Sequence, residues 1–367
     1  MGLHGGDIWN LEESHGLTPE EVLDFSSNIN PLGVPQTVKR LLAEQPQLAL
    51  RYPDPEYGEL RQGLADWLGL SPGQVAVGNG ASELIRELLL VLKPKRVMVP
   101  VPGFAEYARA AANLNIEVVG HRLNAEKDYQ LQAEALQSDL ELHRPDLVFL
   151  CNPNNPTGAQ TGLRTMLAAQ QLCLRAGAWL VVDETFLELS RLGTKASLVP
   201  FFNQGQLIVL RAFTKLFALP GLRLGYLASS EDLALRIRNS LVPWSVNGFA
   251  AKLGNLHRDE AEYLAQTARW IAQEPDWLYQ QLEALAQHPG SPFDRFWRPD
   301  VNFLLGRLKT PQTAAWLRQT LLGKGILIRD CGNFAGLGPE YFRVAVKNRQ
   351  ANQRLVAELA LHSASGG

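Results

Sequence analysis

The stretch Arg211-Ala-Phe-Thr-Lys-Leu-Phe-Ala-Leu-Pro-Gly-Leu-Arg223 sets a lysine, Lys215, just after the apolar run 207–210. A lysine leaving a buried strand is partly desolvated, which disfavours the ammonium form and lowers its pKa. Such an amine forms a Schiff base with an aldehyde. Thr214 beside it and Arg223 beyond the Leu-Pro-Gly turn add a hydroxyl and a guanidinium, donors that suit a phosphate dianion. The stretch therefore asks for a ligand bearing both an aldehyde and a phosphate. Taken alone, a lysine after a strand reads most simply as a surface residue, so the case depends on what the chain brings beside it.

Working outward, apolar runs at 74–77, 96–100, 146–151, 179–184, 207–210 and 224–228 read as strands, separated by helical stretches such as 59–68 and 163–175. Near-continuous apolar strands alternating with helices predict an α/β fold with a mostly parallel sheet covered on both faces. Ligands bind such sheets at the carboxyl ends of the strands. Asn155, Asp183 and Lys215 all fall there: Asn155 within Asn152-Pro-Asn-Asn-Pro-Thr-Gly158, where two X-Pro bonds predict an extended turn, and Asp183 at the end of its own strand. Gly78-Asn-Gly-Ala-Ser-Glu83 turns from a strand into an apolar helix, so the backbone at Gly80, Ala81 and Ser82 would present free N–H groups to an anion. The spacing is neither a dinucleotide fingerprint nor a Walker A loop. Tyr107 opens the next helix, where an aromatic could cover a planar ring or simply pack.

Beyond residue 245 the pattern changes. Helices over 259–288, strands at 301–305, 326–329 and 341–346, a helix over 312–322 and a terminal helix predict a smaller α+β unit. Arg329 and Arg343 each sit in a short apolar strand, where a guanidinium needs an anionic partner, either a structural carboxylate or a ligand. At the other end, Asp24-Phe-Ser-Ser-Asn-Ile-Asn-Pro-Leu-Gly33 reads as a turn or as amides facing a ligand, and Arg51-Tyr-Pro-Asp-Pro-Glu-Tyr57 as a loop with packed aromatics.

Composition narrows the class. A 367-residue chain can bury a large core and hold more than one domain. A formal net charge of −2 with no basic block argues against nucleic acid. Three separated cysteines show no metal-ligand spacing and no disulfide framework, so a reducing, cytoplasmic setting is expected. The opening residues lack the pattern of a signal peptide, and no apolar run is long enough to span a bilayer.

Together, Gly80-Ala81-Ser82, Tyr107, Asn152-Pro-Asn-Asn-Pro-Thr-Gly158, Asp183-Glu184, Thr214-Lys215, Arg223 and Arg343 resemble the fold-type I pyridoxal 5′-phosphate (PLP) enzymes of the class I/II aminotransferase group. His4-Gly-Gly-Asp7, Asp24 to Gly33, Pro243-Trp-Ser-Val-Asn247 and Ile326-Leu-Ile-Arg-Asp-Cys-Gly-Asn-Phe334 resemble the branch of that group that decarboxylates L-threonine O-3-phosphate, next to the histidinol-phosphate aminotransferases. The resemblance implies an arm over 1–34, a large PLP-binding domain over 35–245 and a small domain over 246–367. It implies that Lys215 holds PLP, that Asp183 pairs with the pyridinium nitrogen, that Asn155 meets the ring oxygen and that Tyr107 stacks on the ring. Ala81, Ser82, Thr214 and Arg223 would bind the cofactor phosphate, joined by Tyr52 from the second subunit of a homodimer with shared sites. Arg343 with Asn155 would hold the substrate carboxylate, and His4, Asn28 and Arg329 the phosphate of a small phosphorylated amino acid. Two positions depart from the group: Phe186, where aminotransferase relatives usually carry tyrosine, and Ala212, where a serine is frequent. The first leans toward the decarboxylating branch. The second thins the phosphate cup.

Overall fold

A computed structural model of the chain describes residues 16–363 together with Gly5, Gly6, Ile8 and Leu11. The strands, in chain order, are β1 (Leu23–Asp24), β2 (Val75–Asn79), β3 (Arg96–Val101), β4 (Glu117–Arg122), β5 (Leu147–Cys151), β6 (Trp179–Asp183), β7 (Leu207–Ala212), β8 (Leu224–Ala228), β9 (Phe293–Phe296), β10 (Phe303–Leu308), β11 (Ile326–Leu327), β12 (Arg329–Asp330) and β13 (Tyr341–Ala345). The large sheet has the order β2-β8-β7-β6-β5-β3-β4. The pairs β3/β4, β3/β5, β5/β6 and β6/β7 are parallel, whereas β8 runs against both of its neighbours. The sheet is therefore mostly parallel, as the alternation of elements requires.

The apolar strands are explained by cover on both faces. Along β5, Leu147 and Phe149 enter one core layer with Leu84, Leu88 and Ile237 of overlying helices. Val148 and Leu150 point the other way and pack with Leu136, Met166 and Leu172. Alternation of side chains along a strand sends successive residues to opposite faces, so a strand buried on both faces has no polar position to spare. β4 was not evident from its sequence. It lies at the sheet edge, and residues 117, 118, 120 and 122 are exposed or half-buried, so no apolar run marks it.

The smaller unit is a four-stranded antiparallel sheet of order β12-β13-β10-β9, packed under the helices Glu274–Ala286, Ala314–Leu322 and Arg349–Ser363. The single strand expected over 326–329 is two: β11 pairs parallel with β1, and β12 pairs with β13. The N-terminal segment is built into this unit. Phe25 is fully buried in its core, donates from its backbone N–H to Leu327 O at 2.7 Å and accepts from Ala345 N at 2.8 Å. Beyond the expected boundary at 245/246, Val246, Ala250, Leu253, Leu256 and Tyr263 pack with Val38, Leu60, Leu64 and Phe213 in a cluster that also holds Val301 and Phe303. Among the described residues, no helix is long and apolar enough to cross a membrane.

A buried ion cluster ties the carboxyl ends of β6 and β7 together. Arg211 Nη2 donates to Glu184 Oε2 at 2.7 Å and to Ser197 Oγ at 2.8 Å, and Arg211 Nη1 donates to Glu188 Oε1 at 2.7 Å. The Leu198 backbone N–H completes the set on Glu184 Oε1 at 2.8 Å. Removing one member of a buried ion pair strands the other charge in a low-dielectric interior. Arg211→Leu is therefore expected to cost about 3–5 kcal/mol, read as a lower urea midpoint. An unchanged midpoint would show that the carboxylates find other partners.

Candidate active site

The carboxyl ends of β5, β6 and β7 open on a cavity of ≈ 500 Å³, closed from the other side by the turn after β1 and by β12 and β13. Lys215 lies in the single helical turn Phe213–Leu216 that follows β7, and lines this cavity. Burial first, then the Arg343 and Arg223 guanidinium groups, pull its ammonium down from 10.5 to about 8, with Asp24 opposing them. Its Nζ lies 5.9 Å from the centre of the Phe186 ring, another lining residue.

Asp183 ends β6 and reaches the same cavity. Its Oδ1 accepts from the Thr185 backbone N–H at 2.9 Å and its Oδ2 from the Tyr107 hydroxyl at 2.7 Å. Tyr107 is fully buried, is not part of the cavity wall, and stacks on Phe149 with ring centres 4.8 Å apart. Its expected place on the face of a ligand ring is thus corrected. Desolvation, followed by the Asp183 charge, pushes its hydroxyl well above the usual range and keeps it a donor. The aromatic that lines the cavity is Phe104, three residues earlier and edge-on to Tyr107 at 5.5 Å. The helix Ala105–Asn113 turns Tyr107 toward the sheet and leaves Phe104, at its N-cap, on the open side.

The phosphate side is shaped by what is missing. Gly80 has φ +77°, and a Cβ there would lie 2.5 Å from Arg223 Nη2, so Gly80 does not line the cavity but makes room for Arg223. A Cβ on Gly225 would lie 2.5 Å from the Ala81 backbone nitrogen. The close approach leaves the N-terminus of the helix Ala81–Leu92 facing the cavity, where Ala81, Ser82, Thr214 and Arg223 converge. Helix N–H groups and the positive end of the dipole favour an anion. Ala212 lines the wall without adding a donor.

Arg343 and Arg329 are register partners across β13 and β12, and both are buried in the cavity wall. Arg343 donates from Nη1 to Asn155 Oδ1 and from Nη2 to the Ser26 carbonyl at 2.8 Å, and its Nε has no partner among the described residues. Burial lowers its pKa to about 10. Arg329 donates from Nη2 to Asn333 Oδ1 at 2.8 Å, and burial lowers its pKa too. Asn28 is buried beside them with its Oδ1 unpartnered among the described residues, while its backbone carbonyl accepts from Asn302 Nδ2 at 3.1 Å. Tyr52 stands apart. It is 79% exposed, lies against Trp244 with ring centres 4.7 Å apart, and does not line this chain's cavity. His4 lies outside the described residues; Gly5 next to it lines the wall.

A carboxylate beside an amine, a helix N-terminus with an arginine, and two further buried arginines fit a phosphorylated aldehyde cofactor plus a ligand with two more anionic groups. The residues present would hold PLP with Asp183 near the ring nitrogen and Ala81, Ser82, Thr214 and Arg223 around the phosphate. Comparison with known proteins agrees: the sequence profile described as Aminotransferase class I and II matches residues 20–359. The chain belongs to the class I and II aminotransferase family. It is 38% identical to the threonine-phosphate decarboxylase of Salmonella typhimurium, over 97% of this chain and 95% of that protein. It is 30% identical to the histidinol-phosphate aminotransferase of Methanosarcina mazei, over 96% of this chain and 91% of that protein. The crystal structure of the histidinol-phosphate aminotransferase from Clostridium acetobutylicum superposes with a TM-score of 0.83 at 29% identity, covering 92% of this chain and 98% of that one.

Several wall residues of this member of the class I and II aminotransferase family were not singled out from sequence. Phe104 follows a Pro-Gly pair at a helix start, a position open to reading, whereas Asn333 and Phe334 carry no local signal beyond a turn. Ser26 and Ser27 donate their hydroxyls to Asp24 at 2.6 and 2.5 Å, which sets the arm against the cavity.

The lysine gives a pH signature. A folded-state pKa of about 8 against 10.5 means that capture of PLP by the cofactor-free chain rises with pH through a midpoint of about 8. The unfolded chain binds the extra proton between those values, so the cofactor-free protein also gains stability as pH rises across that window. Arg343→Met, which removes a neighbouring cation, is expected to raise the capture midpoint. A midpoint near 10.5 in the unaltered chain would remove the desolvation argument.

Proposed function

We propose that the chain is a PLP-dependent lyase that decarboxylates L-threonine O-3-phosphate to (R)-1-amino-2-propanol O-2-phosphate, serving cobalamin biosynthesis. The observation that carries the reading is the apposition of Arg329 and Arg343 as register partners in one cavity wall. Two buried guanidinium groups in one cavity wall, apart from the helix N-terminus and Arg223, fit a substrate with two anionic groups of its own. A phosphorylated amino acid has a carboxylate and a phosphate. Histidinol phosphate, the alternative substrate class, has the phosphate but no carboxylate. Phe186 supports the same choice.

In this reading, Arg343 clamps the α-carboxylate bidentately, with Asn155 at its side. Arg329 and Asn28 take the substrate phosphate, with His4 assigned to the same group by resemblance. Asp183, held by Tyr107 and the Thr185 N–H, keeps the ring nitrogen protonated, and Phe104 covers the ring face. PLP, when bound, supplies an electron sink for charge at Cα. The carboxylate leaves as CO2, and Lys215, whose lowered pKa lets it both hold and give up a proton near neutral pH, delivers a proton to Cα. Arg343 and Arg329, by holding the carboxylate and the phosphate, would orient Cα and so decide whether CO2 or a proton departs. We assign a homodimer in which Tyr52, exposed on its own chain, reaches the cofactor phosphate of the second copy. Three free cysteines suit a cytoplasmic enzyme.

Incubation of the PLP-loaded protein with L-threonine O-3-phosphate is expected to release one CO2 per aminopropanol phosphate formed. Conversion to the pyridoxamine form by histidinol phosphate, without CO2, would make the chain an aminotransferase instead. Arg329→Ala is expected to lower kcat/KM for the phosphorylated substrate by ~30-fold or more, as loss of about 2 kcal/mol in charge-assisted hydrogen bonds implies, while PLP affinity holds. Equal loss of both would place Arg329 outside the substrate site.

A further inference from the structure

Charge accounts for a carboxylate and a phosphate, but it does not separate one phosphorylated amino acid from another. That separation falls to the apolar part of the wall. Phe104, Phe186, Ala212 and Pro220 belong to the segments that carry Tyr107, Asp183, Lys215 and Arg223, and so surround the cofactor side. Phe334 is placed differently. It lies in the turn that follows β12, closed by a hydrogen bond from its backbone N–H to Cys331 O at 3.0 Å. The turn brings its ring centre to 5.2 Å from Arg329 Cζ. Asn333, just before it, holds the guanidinium through Nη2 at 2.8 Å. Arg329 is therefore gripped at one nitrogen by an amide and covered by an aromatic ring that is itself 92% buried, being 8% exposed, and part of the cavity wall.

We propose that Phe334 is the specificity-determining residue that reads the substituent on the substrate's phosphate-bearing carbon, favouring L-threonine O-3-phosphate over L-serine O-3-phosphate. The inference rests on the reading that Arg329 holds the substrate phosphate. In threonine phosphate the methyl group and the phosphate oxygen share one carbon. With the phosphate at Arg329, the methyl lies within a few bonds of the guanidinium and of whatever covers it. Of the two described wall residues placed against Arg329, Asn333 is polar and Phe334 gives the methyl an apolar surface. In serine phosphate the same surface faces a hydrogen and keeps a gap, and a missing methyl in an apolar pocket costs about tenfold or more in discrimination.

The test uses the PLP-loaded protein and its Phe334→Ala and Phe334→Leu variants, each titrated with both phosphates. Cofactor absorbance reports binding and CO2 release reports turnover. The unaltered protein is expected to favour threonine phosphate by about tenfold or more in Kd and in kcat/KM, and Phe334→Ala to bring the ratio to within about twofold of one, with the larger loss falling on threonine phosphate. Phe334→Leu, which keeps apolar volume in the core, is expected to retain most of the preference while weakening both ligands through the lost face of Arg329. In Phe334→Ala the lost face of Arg329 weakens both phosphates and the lost apolar surface weakens threonine phosphate further; equal weakening of both, with the ratio intact, would make Phe334 a support for Arg329 alone and overturn the assignment. So would an unaltered protein without preference. If both phosphates bind in the expected ratio but no CO2 appears, the decarboxylase reading fails and the role of Phe334 stands. If neither binds, both fall.

Discussion

Arg211 carries its charge into the interior of the large unit, and Glu184 and Glu188 meet it there. Glu184 directly follows Asp183, and Arg211 stands four residues before Lys215. One buried ion cluster thus ties together the two chain segments that deliver the carboxylate and the amine. Strand register does the rest: Cys151 faces Asp183 across β5 and β6, and Asp183 faces Leu210 across β6 and β7. A buried charge pair is a poor source of net stability, but an expensive one to break. Its consequence here is geometric, because neither segment can move without stranding a charge.

On that frame the cavity is left with an excess of cations. Lys215, Arg223, Arg329 and Arg343 line it, and Asp183 is the carboxylate at its floor that has no cation paired to it among the described residues. Glu106, also in the wall, is paired with Arg109. Burial lowers the pKa of Lys215, Arg329 and Arg343. Lys215 and Arg343, desolvated with no carboxylate paired to them among the described residues, leave an unfavourable charge imbalance, which anionic ligand groups relieve. On the proposed reading the cofactor phosphate, a substrate carboxylate and a substrate phosphate would supply three such groups. The small unit lines the cavity through β12 and β13, and the N-terminal segment through Ser26 and Asn28, so on the proposed reading substrate recognition would draw on parts of the chain far apart in sequence.

Much of this was legible in the sequence. The strands at 96–101, 147–151, 179–183 and 207–212 announce themselves because burial on both faces leaves continuous apolar runs, and the polar residues that interrupt those runs mark their carboxyl ends. Asn155, Asp183 and Lys215 could be picked out for that reason, and Arg329 and Arg343 because a guanidinium within a short apolar strand needs an anionic partner. β4 carries no such run because an edge strand is half solvated, and the packing of Val246 to Tyr263 on Val38, Leu60 and Leu64 was not legible because an amphipathic helix does not record which core it packs on.

The sequence by itself determined the order of elements, the class of the sheet, and the chemical types gathered at its carboxyl ends, since periodicity and turn chemistry are local properties. Only the tertiary structure decided which of two aromatics three residues apart faces the cavity. Phe104 does, because Tyr107 finds both an apolar bed on Phe149 and a carboxylate on Asp183. The structure also decided that Arg329 and Arg343 stand side by side and that Phe334 covers the first of them. Those outcomes depend on strand pairing and on a turn closing back on its own strand, contacts whose partners lie elsewhere in the chain and leave no periodic trace in it.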